Sequence, residues 1–284
     1  MNPAPPMEGD WVSRRGWVKR LGLIAGCGVF PLLFANTAKA KGISLICVAI
    51  KDETVPEVAN SVDKIYWVSF GEVKKAIEIF KTEGIKKAVM VGGITKTRFF
   101  KDRPAIDDGG NLVLKLAKDK KDLTLFKTAA LVLRMNGIKL VSSLVCLKEN
   151  LARKGCLTEK RPTKNQWADI RFGYKIAKRL SGLDIGQTVV VKDKVVLGVE
   201  AIEGTDATIR RSGPLGNGDV VVVKVARPNQ DMRFDVPVIG INTINSLREA
   251  RASVLALEKN KTFITDKEQL VKLADEAGIA VVVI

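Results

Sequence analysis

The chain is 284 residues long and carries 47 Lys and Arg against 31 Asp and Glu, a formal net charge of +16, with no histidine. Without an imidazole, Ser-His-Asp and Cys-His hydrolases, most catalytic zinc sites and histidine phosphotransfer are excluded. Acid–base or metal chemistry must fall to carboxylates, Lys, Arg, Tyr, Cys or the backbone.

Hydrophobic residues at 46% and charged residues at 27% describe a folded chain, and the length predicts about two domains. The positive excess is shared by both halves, with no basic tail, and aromatics are only 6% with no run that interleaves them with Lys or Arg. The composition therefore favours phosphates, nucleotides or acidic lipid surfaces as partners and gives no platform for nucleic acid. Cys27, Cys47, Cys146 and Cys156 have no CxxC spacing and read as reduced thiols.

Residues 1–16, rich in Pro and polar residues, are expected to form a flexible extension. Ser13-Arg14-Arg15-Gly16-Trp17-Val18-Lys19, followed by an apolar run from Leu21, has the layout of an export signal. The competing reading is a buried strand over 21–25, then a glycine turn and a helix; it is preferred because Gly26, Gly28 and Pro31 interrupt the run. No other stretch approaches the roughly 18 apolar residues of a membrane span.

Further strands are predicted at 44–49, 64–68, 88–91 and 139–141, and helices at 31–41, 71–83, 111–118 and 122–135. Gly42, Gly84 and Gly137 follow three of these helices as terminators. Strands alternating with helices imply a Rossmann-like N-terminal domain with a parallel sheet over residues 17–141. Residues 142–165 are read as a linker region. The C-terminal α/β domain, 166–284, is expected to hold a mixed sheet: a helix over 167–180, a hairpin of 188–191 with 195–201, and a strand over 220–225. A helix over 243–258, a strand over 263–264, a helix over 267–277 and a strand over 280–283 complete it.

Three motifs stand out. Gly26-Cys27-Gly28-Val29-Phe30-Pro31 follows the first strand, where glycines let a phosphate approach backbone N–H groups at a helix start; it reads equally as a plain tight turn. The dinucleotide fingerprint wants a glycine where Pro31 stands, but Asp52 keeps an NAD(P)-binding oxidoreductase as an alternative. Gly92-Gly93 leads into a loop with Lys96, Arg98, Phe99, Phe100 and Arg103, either an anion site or a solvated basic loop.

The third motif is acidic. Glu200, Glu203 and Asp206 lie within seven residues, and Asp231 and Asp235 precede Pro237. Carboxylates without histidine suit Mg²⁺ bridging a pyrophosphate, and one beside water is a general base. Against this, Asp206 can cap a helix over 208–212 and Glu203 can pair with Arg210 or Arg211.

The segments LGLIAGCGVFPLLF (21–34), VMVGG (89–93), Asp169-Ile170 with Gly173, LDIGQTVVVKDKVVLGVEAIEGTDATIRR (183–211), VKVARPNQDMRFDVPVIG (223–240) and TINSLREA (243–250) resemble the UDP-2,3-diacylglucosamine pyrophosphatases of the LpxI type. Cys27, Arg227 and Leu123 depart from that pattern, where Asn, Lys and an acid are usual.

The resemblance implies hydrolysis of UDP-2,3-diacylglucosamine to UMP and 2,3-diacylglucosamine 1-phosphate (lipid X), in lipid A biosynthesis, assisted by Mg²⁺. On this reading Asp235, Asp231 and Arg233 are catalytic, and Glu200, Glu203 and Asp206 bind the metal. Gly26, Gly28, Phe30, Gly92, Gly93, Lys96, Arg98, Gln187, Thr205, Arg211, Lys224 and Gln230 bind substrate. The implied location is cytoplasmic, peripheral at the inner membrane, without nucleic acid and compatible with a homo-oligomer. A non-catalytic basic RNA-binding protein is the remaining alternative.

Overall fold

The computed structural model describes residues 19–93, 106–119, 122–228, 230–231 and 236–284, which divide between 148 and 149 into two compact units. The first unit is built on five parallel strands, β1 (Arg20–Ala25), β2 (Ser44–Ile50), β3 (Lys64–Val68), β4 (Lys87–Val91) and β5 (Lys139–Leu140), in the order β3-β2-β1-β4-β5. The segment with an export-like layout thus includes the central strand of this sheet. Helices α1 (Phe30–Ala40), α2 (Val73–Thr82), α3 (Asp108–Leu116), α4 (Asp122–Met135) and the short α5 (Leu144–Leu147) accompany it. The strand order reverses beside β1, which has β2 on one side and β4 on the other. That reversal opens a crevice at the strand C-termini, where ligands of such sheets bind.

β2 is buried at six of its seven positions, as expected of a strand covered on both faces. Burial pushes the Cys47 thiol up to about 12 and, against the opposing Lys41 charge, the Cys146 thiol to about 11. Both are inert at neutral pH. At the opposite edge from the crevice, Glu83 at the end of α2 accepts from Arg20 Nη2 at 2.7 Å, Lys64 Nζ at 2.8 Å and Tyr66 Oη at 2.5 Å. It thereby ties the starts of β1 and β3 to one carboxylate.

The second unit has a six-stranded mixed sheet in the order β6-β13-β11-β9-β7-β8. Its strands are β6 (Gly155–Cys156), β7 (Thr188–Lys192), β8 (Val195–Val199), β9 (Val220–Lys224), β11 (Ala252–Leu257) and β13 (Ala280–Val283); β10 (Val238–Ile239) and β12 (Phe263–Ile264) form a separate parallel pair. β9, β11 and β13 run parallel, while β6 and the β7–β8 hairpin run antiparallel to their neighbours. Helix α6 (Lys164–Gly182) covers one face, packing Ile170 and Ala177 on Val189, Val191, Val221 and Val223. The other face meets α7 (Thr205–Ser212), α8 (Ile241–Glu249) and α9 (Lys267–Glu276) through Ile209, Leu247, Leu270, Val220 and Val222. At Gly173 a Cβ would lie 2.8 Å from Val223 Cγ2, so glycine sets how closely α6 approaches the sheet.

Two expectations are corrected. The helix over 243–258 is instead α8 followed by β11. Ala250 ends the helix, Arg251 turns back with φ of 51°, and all six residues of β11 are buried between β9 and β13. The local Ala, Leu and Glu content favours helix, but a central place in the sheet overrides it. Where a linker was expected over 142–165, the chain forms α5, a 3₁₀ turn over Lys148–Asn150 and the edge strand β6.

Asp169, 5% exposed on α6, accepts from Asp193 N at 3.0 Å and Lys194 N at 2.7 Å, pinning the β7–β8 turn. Both turn residues have positive φ, 50° and 60°, as a two-residue hairpin of this twist requires. Asp169→Ala leaves two backbone donors without acceptors and should cost about 2–3 kcal/mol in urea unfolding. At Glu83, Lys64 and then Tyr66, with Arg20, outweigh burial and hold the carboxyl below the usual carboxylate range. Its folded-state pKa is depressed, so its contribution is present above about pH 4.3 and is lost as pH falls through the lowered value. The melting-temperature gap between the wild type and Glu83→Gln should therefore be wide at pH 7 and close toward pH 3.

Candidate active site

In the first unit the glycine turn after β1 and the one after β4 are joined backbone to backbone. Gly26 N donates to Val91 O at 2.8 Å, Cys27 N to Gly93 O at 2.8 Å, and Gly93 N to Cys27 O at 3.4 Å. A Cβ on Gly26 would stand 2.2 Å from Gly93 O, and one on Gly92, whose φ is 90°, 2.6 Å from Cys27 O. These two glycines therefore permit the junction itself. Gly28, with φ of 86°, faces open space beside the start of α1. Phe30, 7% exposed, belongs to the core of this unit. Lys96 and Arg98 lie outside the described residues.

In the second unit, Glu200, Thr205, Lys224, Thr188 and Gln187 meet where β7 begins and β8 and β9 end. Lys224 closes β9 and is 7% exposed; its Nζ donates to Thr205 Oγ1 at 2.6 Å. Thr205 opens α7 and donates to Glu200 Oε1 at 2.9 Å, while Glu200 Oε2 accepts from Gln187 N at 3.0 Å. The Thr188 hydroxyl, fully buried, lies 3.3 Å from that of Thr205. Burial pushes the Glu200 carboxyl up, but the Lys224 ammonium, the two threonine hydroxyls and the Gln187 N–H outweigh it and hold it below the usual range. Strand pairing fixes the groups: Glu200 N donates to Thr188 O and Val225 N to Gln187 O, both at 2.9 Å.

Glu203 is bound to Arg211, whose Nη2 reaches Glu203 Oε1 at 2.6 Å and Val199 O at 2.7 Å, and Thr208 Oγ1 donates to the same carboxylate at 3.1 Å. Arg211, expected to meet substrate, is committed to this turn, and Arg210 pairs with Glu249. Asp206 is not the cap of α7: the helix starts one residue before it, with Gly204 at φ 84° in the cap position. Among the described residues its Oδ1 and Gln187 Oε1 are buried without a hydrogen-bond partner. Glu200 is thus occupied by the protein and Glu203 by Arg211, and Asp206 alone offers a donor. Among the described residues no group of three or more His, Cys, Asp or Glu could hold a metal ion. The expected magnesium site of Glu200, Glu203 and Asp206 does not fit this donor set, and no step is derived through a metal.

The chain that leaves β9 toward Asp231 is clamped at its root. Lys178 Nζ donates to Ala226 O at 2.7 Å and to Glu258 Oε2 at 3.1 Å, while Ala226 N donates to Glu258 Oε2 at 2.8 Å. Arg227 Nε donates to Asp184 Oδ1 at 2.7 Å, and Arg227 N to Gln230 Oε1 at 2.8 Å. Gln230 thus shapes the loop that carries Asp231. Lys178, Glu258 and Asp184 were not singled out from the sequence, since each pairs with a residue at least 32 positions away. Arg233 and Asp235 lie outside the described residues.

A parallel Rossmann-like unit with joined glycine turns, followed by a mixed α/β unit that buries a Lys–Thr–Glu network, defines a two-domain α/β protein suited to a phosphorylated ligand. Residues 20–149 match the family model of the LpxI N-terminal domain and residues 153–282 that of the LpxI C-terminal domain, so the chain belongs to the LpxI family. A relative from Caulobacter vibrioides, named UDP-2,3-diacylglucosamine pyrophosphatase LpxI, is 29% identical over 277 residues, 93% of this chain and 97% of that protein. These matches bear out the recognised family and its two-domain fold. They support a pyrophosphatase; the expectation of magnesium-assisted hydrolysis is corrected, since among the described residues Glu200, Glu203 and Asp206 make no group that could hold a metal ion.

Gly26→Ala should force the two glycine turns apart and cost about 1–3 kcal/mol, as overpacking does. Thermal unfolding of the variant beside Gly42→Ala, where no atom lies within 4 Å of the new Cβ, separates contact from the strain of positive φ.

Proposed function

We propose that this chain hydrolyses the pyrophosphate bond of UDP-2,3-diacylglucosamine, releasing UMP and lipid X. The observation that carries this reading is the match of both domains to LpxI, with the named pyrophosphatase aligned over 93% of the chain. The chemistry of the second unit supports it. Cleavage adds water at phosphorus, breaks the bridging P–O bond and leaves negative charge on the departing phosphate, so it needs a base for the water and fixed positive charge. Lys224 supplies a buried cation, and Asp235, then Asp231, are proposed to orient and deprotonate the water, with Arg233 offsetting charge. Gln187 Oε1 and Asp206 Oδ1, buried acceptors without partners among the described residues, suit hydroxyl or amide N–H donors of the ligand. The open turn at Gly28, with Gly92, Gly93, Lys96 and Arg98, is proposed to take the anionic nucleotide.

Among the described residues no helix is long and apolar enough to cross a membrane. A diacylated substrate and a net charge of +16 favour a cytoplasmic protein in peripheral contact with an anionic membrane face. Exposed Leu183, Ile185 and Ile202 support that contact. They flank Gly186 and Glu200, so close that a Cβ on Gly186 would stand 2.0 Å from Glu200 O.

The test is chromatographic. Purified protein with UDP-2,3-diacylglucosamine should release UMP and lipid X in equal amounts. Asp235→Ala and Lys224→Met should each lose about 10²–10³ in rate while keeping the wild-type circular dichroism. Absence of UMP from folded wild-type protein under every divalent-ion condition tried would overturn the reading.

A further inference from the structure

The network at the start of β7 and the ends of β8 and β9 has a direction. Lys224 Nζ donates to Thr205 Oγ1 at 2.6 Å, and Thr205, with a single hydroxyl proton, donates onward to Glu200 Oε1 at 2.9 Å. The second carboxylate oxygen is occupied by Gln187 N at 3.0 Å. Glu200 is therefore satisfied by the protein on both oxygens, a poor state for a ligand of metal or substrate but a good one for an anchor. Lys224 is the reverse. Among the described residues Thr205 is its hydrogen-bond partner, and an ammonium has three protons to give. An ammonium that is 7% exposed and has protons to spare is costly unless a ligand takes them. Gln187 Oε1 and Asp206 Oδ1, buried and unpartnered among the described residues, adjoin the same network, Gln187 through the bond of its backbone N–H to Glu200 and Asp206 as the neighbour of Thr205.

We propose that Glu200 is a positioning residue: acting through the Thr205 hydroxyl, it holds the Lys224 ammonium in place for a phosphate of the substrate. This assignment rests on the pyrophosphatase reading and replaces the role of metal ligand for Glu200. Lys224 is the residue that touches substrate; Thr205 and Glu200 set its aim. Charge that develops on the phosphates during cleavage makes a misplaced cation costly to turnover more than to binding.

The experiment is a double-mutant cycle on UMP release, with kcat, KM and melting temperature measured for each protein. Thr205→Val removes the hydroxyl at nearly constant shape and should lower kcat about tenfold to a hundredfold, with KM changing less than about threefold. Thr205→Ser restores the hydroxyl and should recover most of that loss. Glu200→Gln should lower kcat similarly, and the double variant Glu200→Gln/Thr205→Val should fall no further than the worse single, because the residues act as one unit. The inference is overturned if the two losses multiply, if Ser is no better than Val, or if kcat simply follows melting temperature. Should Glu200→Gln fail to fold, the Ser–Val comparison decides alone. A wild type that releases no UMP sinks the underlying reading instead, and an active wild type with indifferent variants sinks this inference only.

Discussion

Taking the Lys224 ammonium and the Glu200 carboxylate out of water costs several kcal/mol per ion, and the second unit is organised around offsetting that cost. The Thr205 hydroxyl stands between the charges, the Gln187 N–H takes the remaining oxygen, and Thr188 fills the space behind them. None of this works unless the start of β7 and the ends of β8 and β9 lie at one level. The ladder bonds Glu200 N to Thr188 O and Val225 N to Gln187 O fix that level, and Asp169 holds the far turn of the hairpin. The Lys178–Glu258 clamp then sends the chain out of β9 toward Asp231 from a defined starting point. A sheet, a helix N-terminus and a loop thus share one constraint, the placement of a buried cation.

Much of this was legible in the residues. Alternation of apolar runs with helical periodicity located all five strands of the first sheet, and 64–68 and 280–283 agree to the residue with β3 and β13. The β7–β8 hairpin was readable from Lys192-Asp193-Lys194 between valine runs. β11 was not, because ASVLAL has no alternation once both faces are buried, and it follows directly on a true helix. The acidic cluster over 200–206 drew attention as a metal site through composition alone. Which oxygen faces which donor depends on Thr188 and Lys224, on other strands, and spacing carries no such information. The clamp residues Lys178, Glu258 and Asp184 escaped for the same reason.

The distribution of acids also explains how a chain of +16 presents its charge. Glu83, Asp169, Glu200 and Glu258 all face inward, bonded to strand starts, a turn, a network or a loop root. Three of the four are matched by cations, Glu83 by Arg20 and Lys64, Glu258 by Lys178 and Glu200 by Lys224 through Thr205, so the excess of +16 is carried by the other lysines and arginines. For a protein whose proposed substrate is an anionic lipid at an anionic surface, that arrangement raises encounter rates in a salt-dependent way.

The tethered β7–β8 hairpin has a bearing on how the protein behaves when crowded. VVVV at 220–223 is a strongly strand-forming run, the kind of segment that seeds edge-to-edge assembly when exposed. It sits in β9, two strands from one sheet edge and three from the other. One edge is β6, two residues long and too short to template a further strand. The other is β8, which exposes Val195 and Val196 but is set off register by an irregularity between Val190 and Val191 and preceded by Lys194. Short length, a twist and a lysine are the ordinary means by which sheets avoid adding foreign strands. Asp169, by holding that turn against α6, keeps the outer strand from peeling away and leaving the valine core one layer closer to a neighbouring chain.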